Sequence, residues 1–280
     1  MAAGAGGSVF FLTDYGHADE FAGVVRAVIV RHAPGVPIID LTHGVAPFDV
    51  RAGALALVRA VPHLGPGVVL AVVDPGVGTA RRAVVVTVRP TTDGAGPHHF
   101  VGPDNGLLPW AVDVLGGAAR AVELPPPSHG ATGVTFDGRD VFAPAAARLW
   151  QGQPVSDLGK DVDPGTLIRL TPLRLSASPG ALEAEVQWVD RFGNVQLAAG
   201  PDDAAAADLG AELEVVAAVS HRAQRVSAFA ELGPAALGLV VDANGRLSLV
   251  CDRQAAATVL RVQPGDVVTL RPFDPGRATS

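Results

Sequence analysis

The sequence predicts an α/β N-terminal domain with a mostly parallel sheet, followed by a smaller all-β, barrel-like C-terminal domain. Three observations carry this. Over the first half of the chain, short apolar runs alternate with stretches of helical periodicity. From 152 to 180 the composition turns Pro- and Gly-rich and periodicity is lost, which reads as a linker. Beyond it, short turn-bounded apolar runs follow one another with no helical pattern. The domains are read as residues 1–171 and 175–280.

The first predicted strand, 9–12, runs into Thr13-Asp14-Tyr15-Gly16. A helix over 19–32 follows, because Phe21, Val24, Val25, Val28 and Ile29 keep helical spacing and Pro34-Gly35 stops it. A strand over 36–41 leads through Pro47 to a helix over 50–61, ended by Pro62. The run 68–73 is β-branched, short and enters from Gly-Pro-Gly, so it reads as a buried strand ending on Asp74. A strand over 83–88, a turn cluster over 100–106, the segment 107–115 and a proline-stiffened loop over 124–130 come next. The α/β part closes with a helix over 136–149, Pro144 lying near its first turn. Strands over 184–189, 213–218, 237–241, 246–251 and 266–270 make up the second domain.

Composition removes several classes of function. The apolar runs are far shorter than the roughly 20 residues that span a bilayer, and the Gly/Ala-rich start carries no basic region before an apolar core. Neither a membrane partner nor a signal peptide is expected, and the cytoplasm is the expected compartment. A net charge of −7 without a basic stripe argues against nucleic acid. The single cysteine, Cys251, excludes an internal disulfide and a cysteine metal cluster. The histidines show no metal-ligand spacing with carboxylate support, so no metal is expected.

Several stretches could carry chemistry. Asp74 and Arg81 lie on the two lips of one Pro/Gly-built loop at the carboxyl end of a strand, where open α/β sheets bind ligands. An isolated pair of this kind also fits a structural staple. Asp14 directly follows the first strand; one carboxylate there can hold a ribose diol, or cap a helix. No Gly-x-Gly-x-x-Gly follows that strand, which argues against an ordinary dinucleotide site. His43, in Asp40-Leu41-Thr42-His43, fits either a site or a satisfied interior histidine. Phe136-Asp137-Gly138-Arg139-Asp140 reads as a site or an acidic helix start, and Asp190-Arg191-Phe192-Gly193-Asn194 as a site or a β-turn.

Taken together and in order, Thr13-Asp14-Tyr15-Gly16, Asp40-x-Thr42-His43, Val73-Asp74-Pro75-Gly76-Val77-Gly78-Thr79, Gly102-Pro103-Asp104-Asn105-Gly106, Phe136-x-Gly138-Arg139-Asp140 and Asp190-Arg191-Phe192-Gly193-Asn194 resemble one family. It is the S-adenosyl-L-methionine (SAM) hydroxide adenosyltransferases, adenosine-forming SAM hydrolases related to the SAM-dependent fluorinase and chlorinase. The resemblance runs from about residue 9 to residue 270. It implies SAM as substrate, adenosine and L-methionine as products, no cofactor, and a homotrimer with sites between one subunit's N-terminal domain and its neighbour's C-terminal domain. It also implies roles. Asp14 would hold the ribose hydroxyls, and Phe48, Phe136 and Phe192 would line the pocket. Asp190 and Asn194 would bind the methionine amine, and the backbone at Ala255-Ala256 would meet adenine.

The family's hydrolytic triad is Asp, Arg and His. Asp74 and Arg81 match it, but Asp137 stands where the family carries histidine. An aspartate is ordinarily a weaker base than a histidine, and two carboxylates beside one water repel unless Arg81 or Arg82 compensates. The implied reaction is attack of water or hydroxide at ribose C5′, with Asp74, Arg81 and Asp137 as its catalytic residues. Two other readings stand beside it: a SAM-dependent halogenase, and a SAM- or adenosine-binding protein that has lost the base.

Overall fold

A computed structural model of the chain describes residues 7–89, 99–127 and 135–275. The chain divides between Leu170 and Thr171 into two compact units. That boundary falls inside 152–180, the stretch read from composition as a linker, but the stretch is not unstructured throughout. Lys160–Val162 adds a strand to the first sheet and Leu175–Ser178 adds one to the second. Both are largely exposed and too short for periodicity to show.

The strands of the first unit are β1 (Ser8–Thr13), β2 (Ile38–Thr42), β3 (Gly67–Val72), β4 (Ala83–Val88), β5 (His99–Pro103), β6 (Ala118–Glu123) and β7 (Lys160–Val162). Its helices are α1 (Phe21–His32), α2 (Val50–Ala60), α3 (Pro109–Val114) and α4 (Ala143–Trp150). The sheet order is β2-β1-β3-β5-β4-β6-β7. Pairing is parallel through β2-β1-β3-β5 and antiparallel beyond, so the sheet is mixed and its parallel half carries the strand ends that matter below.

β3 shows why such a run is apolar at every position: both its faces are covered. Val68, Leu70 and Val72 pack with Val25, Ile29, Phe142 and Ala146, on the α1 and α4 side. Val69, Ala71 and Val73 pack with Leu57, Leu107 and Ala111, on the α2 and α3 side. The chain leaves β1 toward β2 on one side and returns to β3 on the other. The gap between β1 and β3 is therefore a topological switch point, where open α/β sheets form a crevice at the carboxyl ends of their strands.

The second unit holds β8 (Leu175–Ser178), β9 (Ala181–Val189), β10 (Val195–Leu197), β11 (Glu212–Val216), β12 (Ser220–Arg225), β13 (Leu237–Val241), β14 (Leu247–Cys251) and β15 (Val267–Pro272). Two short helices, α5 (Pro201–Ala206) and α6 (Ala256–Leu260), complete it. The order β10-β14-β13-β12-β11-β15-β9 returns to β10 through a β10–β9 pairing, which closes a barrel of seven strands with β8 added outside on β9. Leu182, Val186, Leu213, Val215, Leu239, Leu249 and Leu270 fill its interior.

Candidate active site

β1 and β3 are parallel neighbours in register, Thr13 opposite Val72. The residues just past their ends, Asp14 and Asp74, are thereby brought to one edge of the sheet, and both line a cavity of about 440 Å³. Tyr15, Phe21, Phe48, Phe136 and Asp137 line it too.

The Asp74 loop is held from within. Gly76 N–H donates to Asp74 Oδ1 at 3.2 Å, Thr79 Oγ1 donates to the Gly76 carbonyl at 2.6 Å, and Arg81 N–H donates back to Thr79 Oγ1 at 3.3 Å. This turn returns the guanidinium onto the carboxylate. Arg81 Nε lies 2.9 and 3.0 Å from the two Asp74 oxygens, and Nη2 donates to both Asp74 Oδ2 and Asp137 Oδ2, the latter at 2.5 Å. All three side chains are largely withdrawn from solvent, at 10% exposure for Arg81, 6% for Asp74 and 15% for Asp137. Burial works against the Arg81 charge, but the hydrogen bonds and charge of Asp74, with those of Asp137, outweigh it and hold its pKa above the ordinary value. The guanidinium also stands 5.2 Å from the Phe142 ring centre.

Arg82, the other candidate to offset the two acids, points elsewhere. Its Nε and Nη2 bond Asp104 at 2.8 and 2.5 Å, and it reaches Thr166 as well. Asp104 also accepts from Ile168 N–H at 2.8 Å, while Asn105 Nδ2 donates to the Val73 carbonyl at 2.8 Å. The Gly102-Pro103-Asp104-Asn105-Gly106 stretch thus braces the end of β3 next to Asp74.

Asp14 caps no helix: the residue before α1 is Glu20, without a side-chain cap. Asp14 Oδ2 instead accepts from Phe48 N–H at 2.9 Å. Phe48 has φ +68° and its side chain is 69% exposed. A left-handed backbone at a non-glycine residue costs on the order of 1 kcal/mol, and here it is what turns the N–H toward Asp14.

Asp137 is the residue before a π turn, Gly138–Phe142, that runs into α4. The predicted helix over 136–149 therefore begins with a wide turn, which sets Asp137 beside Arg81. Gly138 must be glycine, because a Cβ there would lie 2.2 Å from the Tyr15 hydroxyl. The Tyr15 ring meets Phe21 in a tilted contact and Phe136 edge-on, their centres 5.9 Å away in each case. Burial first, and then the charges of Asp14, Asp74 and Asp137, push its pKa well above the ordinary tyrosine value. Tyr15 and Phe21 are site residues that motif reading missed. Phe21, one of the apolar positions at helical spacing, opens α1 and is 41% exposed in the cavity wall.

The remaining predicted residues form a separate cluster on the second unit. Asp190 Oδ1 accepts from Phe192 N–H at 2.8 Å and Asn194 N–H at 2.9 Å, and Oδ2 accepts from Asn194 Nδ2 at 2.8 Å. Gly193 has φ +82°, and a Cβ there would lie 2.3 Å from Ala255 Cβ, so this turn and the start of α6 are packed backbone to backbone. Phe192 is 73% exposed. Three of the roughly four acceptor positions of the Asp190 carboxylate are used inside the turn, leaving room for one further donor.

His43 is fully buried and hydrogen-bonded. His99 begins β5 and its Nδ1 lies 3.0 Å from Thr87 Oγ1, so it is no loose surface group; His98 and the end of the 124–130 loop fall outside the described residues. Among the described residues, no group of three or more His, Cys, Asp or Glu side chains is arranged to hold a metal ion.

Residues 9–159 match the model of the SAM hydroxide adenosyltransferase N-terminal domain, and residues 184–269 match that of its C-terminal domain. A protein of Salinispora arenicola named (R)-S-adenosyl-L-methionine hydrolase is 47% identical over 265 residues, covering 92% of this chain and 95% of that protein. A fluorinase of Actinopolyspora mzabensis is 26% identical over 222 residues, covering 72% and 74%. An uncharacterised conserved protein of Thermotoga maritima, known as a crystal structure, superposes with a TM-score of 0.84 at 32% identity, covering 94% of this chain and 99% of that one.

Proposed function

The chain belongs to the SAM hydroxide adenosyltransferase family, and on that premise we propose that it hydrolyses S-adenosyl-L-methionine to adenosine and L-methionine. The observation that carries the chemistry is the Asp74–Arg81–Asp137 cluster at the wall of a cavity that Asp14 also lines. Water attacks ribose C5′ as the C5′–S bond breaks, the bonding electrons go to sulfur, and methionine leaves neutral. The proton of the attacking water passes to a carboxylate and on to solvent. The sulfonium is a good leaving group without acid assistance, so the protein's task is to align the nucleophile and accept its proton.

Arg81 allows two acids to work side by side. Asp74 and Asp137 both accept from its Nη2, so one guanidinium charge offsets the repulsion between the two acids. The carboxylate pair takes the place of a carboxylate and a neutral imidazole. Asp14 accepts the ribose hydroxyls, with Phe48 and Phe136 against the nucleoside. Four carboxylates, Asp14, Asp19, Asp74 and Asp137, line the cavity, with Arg81 bonded to two of them, a negative excess that suits a sulfonium cation.

The same excess argues against a halogenase. A desolvated halide would have to sit against Asp74 and Asp137, and the hydrolase relative is far closer in sequence than the fluorinase. Asp190, Phe192, Asn194 and Ala255 lie on the other unit, and we assign them the amino-acid and adenine ends of the substrate, in a homotrimer whose neighbouring subunits complete each site. Among the described residues no helix is long and apolar enough to cross a membrane, and the proposed site of action is the cytoplasm.

The test is incubation with SAM in heavy-oxygen water, with and without chloride or fluoride. Oxygen-labelled adenosine is expected in both. A 5′-halo-adenosine would replace the hydrolase reading with the halogenase, and SAM retained unchanged in stoichiometric amount would replace it with a binding protein. Sedimentation velocity tests the trimer.

A further inference from the structure

The Asp40-x-Thr42-His43 stretch takes no part in the chemistry above, yet it builds an ordered polar relay. His43 Nδ1 lies 2.8 Å from Thr13 Oγ1, and that same oxygen accepts from Tyr15 N–H at 3.1 Å. On the far side of the ring, His43 Nε2 lies 3.1 Å from Asp40 Oδ1, and Asp40 is paired with Arg26. The His43 carbonyl accepts from Gly16 N–H at 2.8 Å. Both ends of Thr13-Asp14-Tyr15-Gly16 are therefore tied to one residue.

An acid, an imidazole and a hydroxyl in line look like a nucleophilic triad, but Thr13 is fully buried and its oxygen is occupied by Tyr15 N–H. The relay points to placement of the loop. Hydrogen-bond satisfaction also favours one tautomer, although Nε2 faces both Asp40 Oδ1 at 3.1 Å and Arg26 Nη2 at 3.2 Å. The Thr13 hydroxyl has one proton and a buried location, and Nδ1 is the acceptor beside it. Nε2 then carries the proton and donates to Asp40. In the other tautomer Nε2 would accept from Arg26 Nη2 at 3.2 Å but would set a lone pair against Asp40 Oδ1 at 3.1 Å, and the Thr13 proton would lose Nδ1 as its acceptor. Burial, with Arg26 and His17 nearby, holds the His43 pKa below its ordinary value against the pull of Asp40, so the ring is neutral at neutral pH.

We propose that His43 is a positioning residue: as the Nε2-protonated neutral imidazole it fixes the Thr13 hydroxyl, and through it the loop that carries Asp14 and Tyr15 to the cavity. The functional half of the test rests on Asp14 holding the ribose of SAM. It compares Thr13→Val, Thr13→Ser, Asp14→Asn and the Thr13→Val/Asp14→Asn double variant in the full chain. Thr13→Val is expected to raise KM for SAM about tenfold with kcat changed less than about threefold. Thr13→Ser is expected to restore KM, and the double variant to match Asp14→Asn within about twofold, since the relay acts through Asp14.

A second readout does not need turnover. In 15N-labelled protein, with His43 assigned by its loss in His43→Gln, the ring nitrogens should show protonated Nε2 and bare Nδ1 at neutral pH. Protonated Nδ1 or an imidazolium overturns the proposal, as do a serine variant no better than valine or additive effects in the double variant. If the wild type neither binds nor turns over SAM, the proposed reaction fails while the nitrogen spectrum still decides the relay.

Discussion

Gly138→Ala separates the shape of the site from the stability of the domain. The added Cβ would lie 2.2 Å from the Tyr15 hydroxyl and 3.3 Å from Cζ. Restoring an ordinary contact requires the phenol to retreat by about 1 Å. Overpacking of this kind costs about 1–3 kcal/mol, and alanine in place of glycine in a helical turn returns up to about 1 kcal/mol. The net loss is thus about 0–3 kcal/mol, a fall in Tm of roughly 12 °C at most. Activity is expected to fall much further. Tyr15 follows Asp14 directly, and a shift of about 1 Å among positioned groups can cost about 10²-fold in rate. Calorimetry and adenosine formation by chromatography measure the two effects. Tyr15→Phe added to Gly138→Ala removes the closest clash, so Tm should return and kcat/KM recover at least about tenfold of the loss. A Gly138→Ala enzyme within about twofold of wild-type kcat/KM would show that the Tyr15–Gly138 contact does not shape the site.

Arg81→Met should leave two carboxylates facing each other without their common donor, at a cost of about 3–5 kcal/mol by chemical denaturation and with loss of measurable turnover; a loss below about 1 kcal/mol would mean that the pair is not coupled as described. Asp137→His is expected to raise kcat by about tenfold or more and to introduce an acid limb with a midpoint near the ordinary histidine pKa of about 6.5; an unchanged rate would show that Asp137 is no handicap. Tyr15 is the only tyrosine, so the near-ultraviolet phenolate band reads it alone. Its pKa is raised above the ordinary 10.0, so the unfolded chain ionises first: stability due to the neutral phenol is full below pH 10 and declines as pH rises above it. The native protein should show no phenolate at pH 10.5–11, where the guanidinium-unfolded chain is largely ionised, and a native midpoint near 10 would contradict the buried setting.

What was legible in the sequence depended on whether the signal was local. β3 could be read because burial on both faces makes all six of its positions apolar or glycine, and Asp74 and Arg81 because one loop contains both. β12, Ser-His-Arg-Ala-Gln-Arg, could not: it buries one residue, and only pairing with β11 and β13 makes it a strand. The same holds for β7 and β8, which composition turned into a linker. In the site, the ordered motifs single out Asp14, Asp74 and Asp137, and the fold brings all three to one cavity. The fit of Tyr15 against Gly138 had no sequence signal, because it joins a strand end to a π turn more than a hundred residues later. The division of labour between Arg81 and Arg82 was equally hidden. Adjacent arginines look alike until alternation across the strand start sends one to Asp137 and the other to Asp104.

The closure of the barrel has a consequence for the order in which the protein is made. β9 is the first strand of the closed barrel, yet two of its partners are β10, which follows at once, and β15, the last of the described strands. β15 also pairs with β11, so it is a stave set between two earlier strands. The first unit can gather its core as soon as Leu170 has left the ribosome, whereas the barrel has an open seam until translation passes residue 272. During that interval β9 and β11 expose unpaired edges, the surfaces most prone to join another chain. A chain cut at residue 266 would keep every acidic group of the cavity and still be born with that seam permanently open.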